Sequence, residues 1–142
     1  MLVDANILLY SVDQDSPFHA DADRWLTDAL NGPRRVGLPW VSLYAFLRIV
    51  TNPRAVAEPL QPVAAWGIVD NWLSAPTAWI PEPGIGHQQL LRDLTIDLDL
   101  RAGLVSDAVL AALCIEHGLE IVSADSDFAR FTEVNWINPV AR

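Results

Sequence analysis

The sequence lacks lysine: all nine of its basic residues are arginine, against eighteen acidic residues, and the formal net charge is -9. Binding nucleic acid over a broad surface requires clustered cations that displace counterions from the phosphates. The composition therefore excludes that mode of binding. We expect any contact with nucleic acid to be local.

Cysteine and long apolar runs are also scarce. The only cysteine, Cys114, lies in an apolar segment where we expect core packing, which excludes a disulfide framework and a cysteine-rich metal site. Charge or proline interrupts every apolar run within about a dozen residues, whereas a helix that crosses a bilayer needs about 20. The first residues also lack the basic segment of a secretory signal. We therefore expect a cytoplasmic protein.

The sequence does contain enough apolar residues for one core. The chain has 142 residues, of which 51% are hydrophobic. It is long enough for one well-filled core and too short for two ordinary domains. No internal repeat, low-complexity run or linker divides the chain. We therefore expect one domain, residues 1–142.

Short apolar runs alternate with amphipathic segments. The apolar runs predict buried strands at residues 1–3, 36–38, 78–80, 120–122 and 135–137. Helical spacing of apolar residues predicts helices at residues 20–30, 42–50, 62–73, 86–98 and 106–117. Gly118 is the expected helix-ending residue. Strands that are apolar throughout and alternate with helices form a parallel sheet covered on both faces. The predicted fold class is therefore α/β, with the functional site at the carboxyl ends of the strands.

Acidic residues stand where such a site would be. Asp4 follows the first strand, Asp107 falls in the first turn of the helix predicted at 106–117, and two more follow the fourth strand, Asp125 and Asp127. Each alone is equally well explained as a helix cap, a partner of the helix dipole or part of a solvated turn. Together they are expected to converge, because the predicted topology brings these strand ends to one edge of the sheet.

Clustered carboxylates repel each other unless a cation neutralises them. Mg²⁺ prefers oxygen ligands and shares its sites with substrate phosphate. A metal held in this way can activate water for attack on phosphorus and offset charge on the leaving oxygen. The residues therefore indicate metal-dependent phosphodiester hydrolysis, which needs no serine, cysteine or histidine nucleophile.

Four stretches, taken in order along the chain, resemble the PIN-domain family and specifically its VapC-like toxins. They are residues 2–6 (LVDAN), residues 38–53 with LPWVS, FLR and TNP, residues 105–108 (VSDA) and residues 122–128 (VSADSDF). The resemblance implies a parallel sheet flanked by helices and Mg²⁺- or Mn²⁺-dependent cleavage of RNA. It also implies a toxin that pairs with a small VapB-like antitoxin and forms a homodimer.

The resemblance extends to single residues. Asp4, Asp107 and Asp125 match the family's metal ligands, and Asp127 matches a further acid present in many members. The polar residues that support the site in the family correspond to Asn6 and Ser123.

Ala45 departs from the family pattern, because many members have glutamate at this position of the second predicted helix. Either the remaining aspartates hold one metal and the enzyme is active, or activity is weakened or lost and the fold serves as a binding module for protein or RNA. We favour the first, since clustered carboxylates without a metal would be costly. Arg48 follows one helical turn later and is either a contact to RNA phosphate or a solvated helix residue.

Phosphotransfer domains of the haloacid dehalogenase and response-regulator types also place an aspartate after the first strand. Both use a lysine to neutralise the phosphoryl group, and this chain has none. The sequence therefore favours an endoribonuclease acting on tRNA, rRNA or mRNA over an aspartate phosphotransfer domain.

Overall fold

A computed structural model describes residues 1–141 of the chain. Its strands form one five-stranded sheet in the order β3-β2-β1-β4-β5, and every neighbouring pair is parallel. The strands are β1 (Leu2–Val3), β2 (Val36–Gly37), β3 (Ala78–Trp79), β4 (Ile121–Val122) and β5 (Trp136–Ile137). Each predicted strand is present but shorter than expected. The predicted α/β class with a parallel sheet is confirmed.

Six α-helices connect these strands within residues 1–141. They are α1 (Ala5–Val12), α2 (His19–Leu30), α3 (Trp40–Val50), α4 (Pro62–Leu73), α5 (His87–Asp97) and α6 (Gly103–His117), and a 3-10 turn follows at Ser126–Arg130. The periodicity predicted α2 to α6 but neither α1 nor the 3-10 turn. α1 is short and apolar along most of its length, so it carries no amphipathic pattern to recognise.

The helix that carries Asp107 begins three residues earlier than predicted. α6 begins at Gly103, after Ala102, which has a φ of 52°. Asp107 is therefore the fifth residue of α6, and the prediction that it lies in the first turn is wrong. Interaction with the helix dipole fades beyond the first turn, so the dipole does not explain this aspartate. The predicted end is confirmed, because Gly118 follows α6 in the left-handed conformation, with φ 65° and ψ 43°.

The sheet separates two apolar cores. Successive residues of a strand face opposite sides, and in β1 Leu2 belongs to a core with α6 and the 3-10 turn while Val3 belongs to a core with α1 to α4. Helices therefore cover both faces, as predicted. Within residues 1–141, none of these helices combines the length and apolar composition needed to cross a membrane.

Glycine at position 37 lets β2 approach its surroundings closely. A Cβ atom there would lie 2.7 Å from Pro81 Cγ and 3.2 Å from the Met1 carbonyl oxygen. A larger side chain at this position would collide with Pro81 and with the residue that precedes β1. β1 lies at the centre of the sheet, between β2 and β4, so Asp4, which follows β1, lies at the middle of the carboxyl edge.

Candidate functional site

Asp4 is held at the carboxyl edge of the sheet by both neighbouring elements. Its backbone N–H donates to the Val122 carbonyl at 3.0 Å, which continues the pairing of β1 with β4. Its side chain caps α1, because Oδ1 accepts a 2.7 Å hydrogen bond from the Ala5 N–H. The carboxylate therefore has a fixed position, and the capping interpretation of Asp4 describes a real contact.

Ser123 connects the residues that follow β1 and β4. Its fully buried hydroxyl donates to Asp4 Oδ2 at 2.7 Å and accepts from Asn6 Nδ2 and the Asp125 N–H, both at 3.0 Å. Asn6 also donates to Asp4 Oδ2 at 3.0 Å and accepts from the Ala124 N–H at 3.1 Å. The serine hydroxyl uses its donor and both lone pairs, so this network is closed and directional.

The 3-10 turn after β4 orients two further acids. Asp125 caps it, with Oδ1 accepting from the Asp127 N–H at 2.8 Å. Asp127 in turn accepts from Arg130, whose Nη2 lies 2.9 Å from Asp127 Oδ1 and whose Nε lies 2.9 Å from the Asp127 carbonyl oxygen. Our sequence reasoning did not single out Arg130. Its spacing of three residues from Asp127 is the signal that could have identified it, because such pairs meet in a helical turn.

Three of the predicted acids come together most closely. One carboxylate oxygen each of Asp107, Asp125 and Asp127 lies within 4.8 Å of the others. Asp4 is not one of these three, although its charge contributes to the raised pKa of Asp107. Asp127 therefore lies with two of the predicted ligands, Asp107 and Asp125, and the trio of Asp4, Asp107 and Asp125 as metal ligands stays a prediction.

The pKa values of two carboxyl groups reflect this crowding. Burial is the largest cause that raises the pKa of Asp107 to about 6, and the charges of Asp125, Asp4 and Asp127 raise it further while Arg130 lowers it. Burial also raises the pKa of Asp4, although its hydrogen bonds from Ser123 and Ala5 act in the opposite direction. A bound cation would stabilise the negative charges of this partly buried site.

The donor set fits a hard divalent cation. Asp107, Asp125 and Asp127 offer only carboxylate oxygens, which Mg²⁺ and Mn²⁺ accept, and no cysteine or histidine joins them in the described part of the chain. Among residues 1–141, only Arg130 forms an ion pair with these three acids, which leaves the group with a net negative charge. The residues present therefore suit a metal bound through oxygen.

A cleft of about 370 Å³ opens beside these acids. It lies between α3 and α6, and its lining includes Asp4, Tyr44, Ala45, Arg48 and Asp107. Ala45 faces the cleft, so a glutamate at this position would bring its carboxylate into the same space. Arg48 is exposed and forms no ion pair with any residue in 1–141. The sequence had not identified Tyr44, since an aromatic residue in an apolar helix is usually buried.

The chain is similar to known proteins over most of its length. A family model described as PIN domain matches residues 1–134. Ribonuclease VapC37 of Mycobacterium tuberculosis is 45% identical over 140 residues, which cover 99% of this chain and 97% of that protein.

Solved structures share the fold at lower sequence identity. A toxin-antitoxin complex from Klebsiella pneumoniae aligns with a TM-score of 0.62 and 17% identity, covering 97% of this chain and 96% of the other. M. tuberculosis VapC20, described as a Sarcin-Ricin loop cleaving toxin, aligns with a TM-score of 0.67 and 16% identity, covering 91% and 92%. At these identities the likeness concerns the fold alone.

Proposed function

The chain belongs to the PIN-domain family, and we propose that it is a metal-dependent endoribonuclease that acts as the toxin of a toxin–antitoxin pair. The observation that carries the proposal is the meeting of the Asp107, Asp125 and Asp127 carboxylates beside a cleft that Asp4 also lines. RNA as substrate is supported by the 45% identical relative, which is named a ribonuclease. The proposed enzyme is one domain, residues 1–142, and acts in the cytoplasm.

The four aspartates form the proposed catalytic centre. Asp4, Asp107 and Asp125 hold the cation, and Asp127 joins them, since its ligand atom already lies with those of Asp107 and Asp125. A carboxylate has about four lone-pair sites, and Asp4 accepts three hydrogen bonds. It therefore keeps capacity for a metal contact while Asn6 and Ser123 hold its orientation.

Mg²⁺ is the proposed cation, with Mn²⁺ as a substitute. When bound, such an ion lowers the pKa of water, orients it for in-line attack and offsets charge on the leaving oxygen. The protein itself positions the RNA. Arg48, at the edge of the cleft and without an ion-pair partner in the described residues, is the proposed contact to an RNA phosphate.

The proposed partners are a small VapB-like antitoxin and a second copy of the chain. The antitoxin is supported by the fold shared with a toxin-antitoxin complex. The negative cleft would accept an arginine from an antitoxin tail, because a guanidinium pairs well with carboxylates. Co-expression of the antitoxin should then remove toxicity, and purified antitoxin should reduce RNA cleavage.

A second candidate function is a catalytically silent PIN fold that binds protein or RNA. Ala45 favours this alternative, because it faces the cleft at the position where many family members place a glutamate. The two functions differ in one measurable property, which is hydrolysis of RNA.

The test compares RNA 5′ ends after exposure of total RNA to the wild-type protein and to two variants, Asp4→Asn and Asp107→Asn, in Mn²⁺. We expect a discrete set of cleavage sites with the wild-type protein and their loss in both variants. Asp70→Asn, an exposed aspartate on α4, is the matched control and should cut like the wild type. Absence of hydrolysis of any RNA by the wild type would instead support the binding module.

A further inference from the structure

Three side chains form a row along one side of α3. Trp40, Tyr44 and Arg48 are spaced four residues apart, so each lies about one helical turn, roughly 6 Å, from the next. Tyr44 and Arg48 both line the cleft that contains Asp4 and Asp107. The row therefore leads along the edge of the proposed catalytic cleft.

Tyr44 is unusually exposed for a large ring, with 61% of its surface accessible. The ring is nevertheless held in place, because it stacks on Trp40 with centroids 5.5 Å apart and an interplanar angle of 22°. Trp40 in turn contacts Trp66 of α4, with centroids 6.5 Å apart. Because Trp40 holds the ring and most of its surface is exposed, Tyr44 offers an ordered aromatic surface on which another ring could stack.

Charge alone is a weak basis for binding RNA here. The net charge is -9, the cleft is lined by two aspartates, Asp4 and Asp107, and Arg48 is the only basic residue in its described lining. Stacking of bases on aromatic rings supplies affinity that does not depend on positive charge, and it accepts any base because every base has a π-face. An aromatic surface beside one arginine therefore suits a nucleotide better than it suits a phosphate group alone.

Resting on the proposed function, we propose that Tyr44 binds the substrate by stacking on an unpaired nucleobase while Arg48 contacts an adjacent phosphate. The occupant of this surface is thus single-stranded RNA, such as a loop or a strand end, because a paired base is already stacked on its neighbours and presents no free face. The acids of the cleft then meet a phosphodiester bond close to the stacked base. This contact selects unpaired over paired RNA.

The test measures binding of a short labelled oligouridine in Ca²⁺, with a gel to check that the RNA stays intact. Tyr44→Ala and Tyr44→Leu should weaken binding about tenfold, whereas Tyr44→Phe, which keeps the ring, should stay within about twofold. Leucine retains apolar packing on Trp40, so it covers the case in which alanine disturbs α3. Ile85→Ala, a change at a fully exposed apolar residue, is the control and should bind like the wild type.

Several results would overturn the inference. Equal binding by wild type, Tyr44→Ala and Tyr44→Leu would do so, as would an equal loss of affinity for a fully paired RNA. Sedimentation of the same variants tests the other occupant: conversion of a dimer to a monomer would show that a second copy covers Tyr44. Cleavage by the wild type and its loss in Asp107→Asn judge the proposed function separately, so a cleaving enzyme that is insensitive to Tyr44 would refute the stacking contact alone.

Discussion

The Ser123 hydroxyl donates a 2.7 Å hydrogen bond to Asp4 Oδ2 across 119 positions of sequence. Because the same hydroxyl accepts from Asn6 and from the Asp125 N–H, one buried oxygen ties together the ends of β1 and β4. The direction of the Asp4 carboxylate is therefore set by β4 as much as by its own strand. Residues that donate hydrogen bonds to proposed metal ligands, as Ser123 does, determine how well those ligands are arranged before a metal binds.

Ser123→Ala should therefore weaken metal binding. We expect the Mn²⁺ affinity to fall about 10- to 100-fold and the free energy of unfolding to fall by about 1 to 3 kcal/mol, because Asp4 and Asn6 lose a buried partner. Titration calorimetry and urea unfolding measure the two effects. Ser11→Ala is the control, because its buried hydroxyl does not line the cleft and donates a 2.7 Å hydrogen bond to the Leu8 carbonyl. That change should lower stability and leave Mn²⁺ affinity intact; equal affinity in Ser123→Ala would contradict the positioning role.

The raised pKa of Asp107 predicts the pH dependence of stability without metal. Its pKa is about 6 in the folded protein against an ordinary value of 3.8 for an aspartate, so between these values the native state binds more protons than the unfolded state. The contribution of this group to stability therefore falls as pH rises from about 4 to about 6. In EDTA at pH 7, Asp107→Asn should be more stable than the wild type by about 1 kcal/mol, a value reduced for partial exposure to solvent.

This stability difference should shrink at pH 4, where the wild-type carboxyl group is also largely neutral. Urea unfolding at both pH values provides the measurement. Asp70→Asn, on the exposed side of α4, serves as the control and should change stability by less than about 0.5 kcal/mol at either pH. A lower stability of Asp107→Asn at pH 7 would show that the acids do not repel each other as the structure indicates.

The affinity for Mn²⁺ should rise over the same pH range in which the stability contribution of Asp107 falls. Protons and Mn²⁺ compete for the Asp107 carboxylate, so affinity for Mn²⁺ should be highest above pH 6 and fall below it by up to about tenfold per pH unit. Calorimetry from pH 5 to 8 in buffers of different ionisation enthalpy would also detect proton release on binding near pH 6. Affinity that is constant over this range would exclude Asp107 as a ligand.

Ala45→Glu tests whether position 45 can contribute to the proposed metal site. The new carboxylate enters the cleft lined by Asp4 and Asp107, so we expect lower stability in EDTA from like-charge repulsion. Mn²⁺ affinity should rise about tenfold, because a further negatively charged carboxylate becomes available as a ligand. Ala45→Gln has nearly the same shape without the charge and should show neither effect. If both variants bind Mn²⁺ as the wild type does, position 45 lies too far from the metal to act as a ligand.

Arg130→Gln examines the ion pair beside the acids. Arg130 occupies Asp127 Oδ1 at 2.9 Å and lowers the pKa of Asp107 through its charge. Its removal should strengthen Mn²⁺ binding about threefold at pH 8, since a partly exposed cation opposes a second one only modestly. Arg101→Gln removes a similar but exposed pair with Asp99 and is the control. Unchanged or weaker Mn²⁺ binding by Arg130→Gln would indicate that the arginine helps to order Asp127.

The elements that the sequence failed to predict share a physical cause. α1 is apolar over most of its length and lies against α2 and α3, so its helical state follows from packing and not from periodicity. The start of α6 at Gly103 depends on the backbone at Ala102, which has a φ of 52°. Alanine rarely adopts a positive φ, so the sequence does not indicate this conformation. Tyr44 and Phe46 are both aromatic residues of α3, yet one is 61% exposed and the other fully buried. Because they are two residues apart, they lie on opposite sides of the helix, and the side that carries Phe46 packs into the core.

The sequence by itself determined the alternation of strands and helices, the parallel sheet and the choice of acids, because apolar runs, helical spacing and residues that follow strands are local properties of a chain. Tertiary structure alone decided which oxygens meet. It grouped Asp107, Asp125 and Asp127 within 4.8 Å, tied Asp4 to Ser123 and left Tyr44 open beside the cleft. These outcomes depend on distances between residues far apart in the chain, and such distances are fixed only when the strands pair and the helices pack.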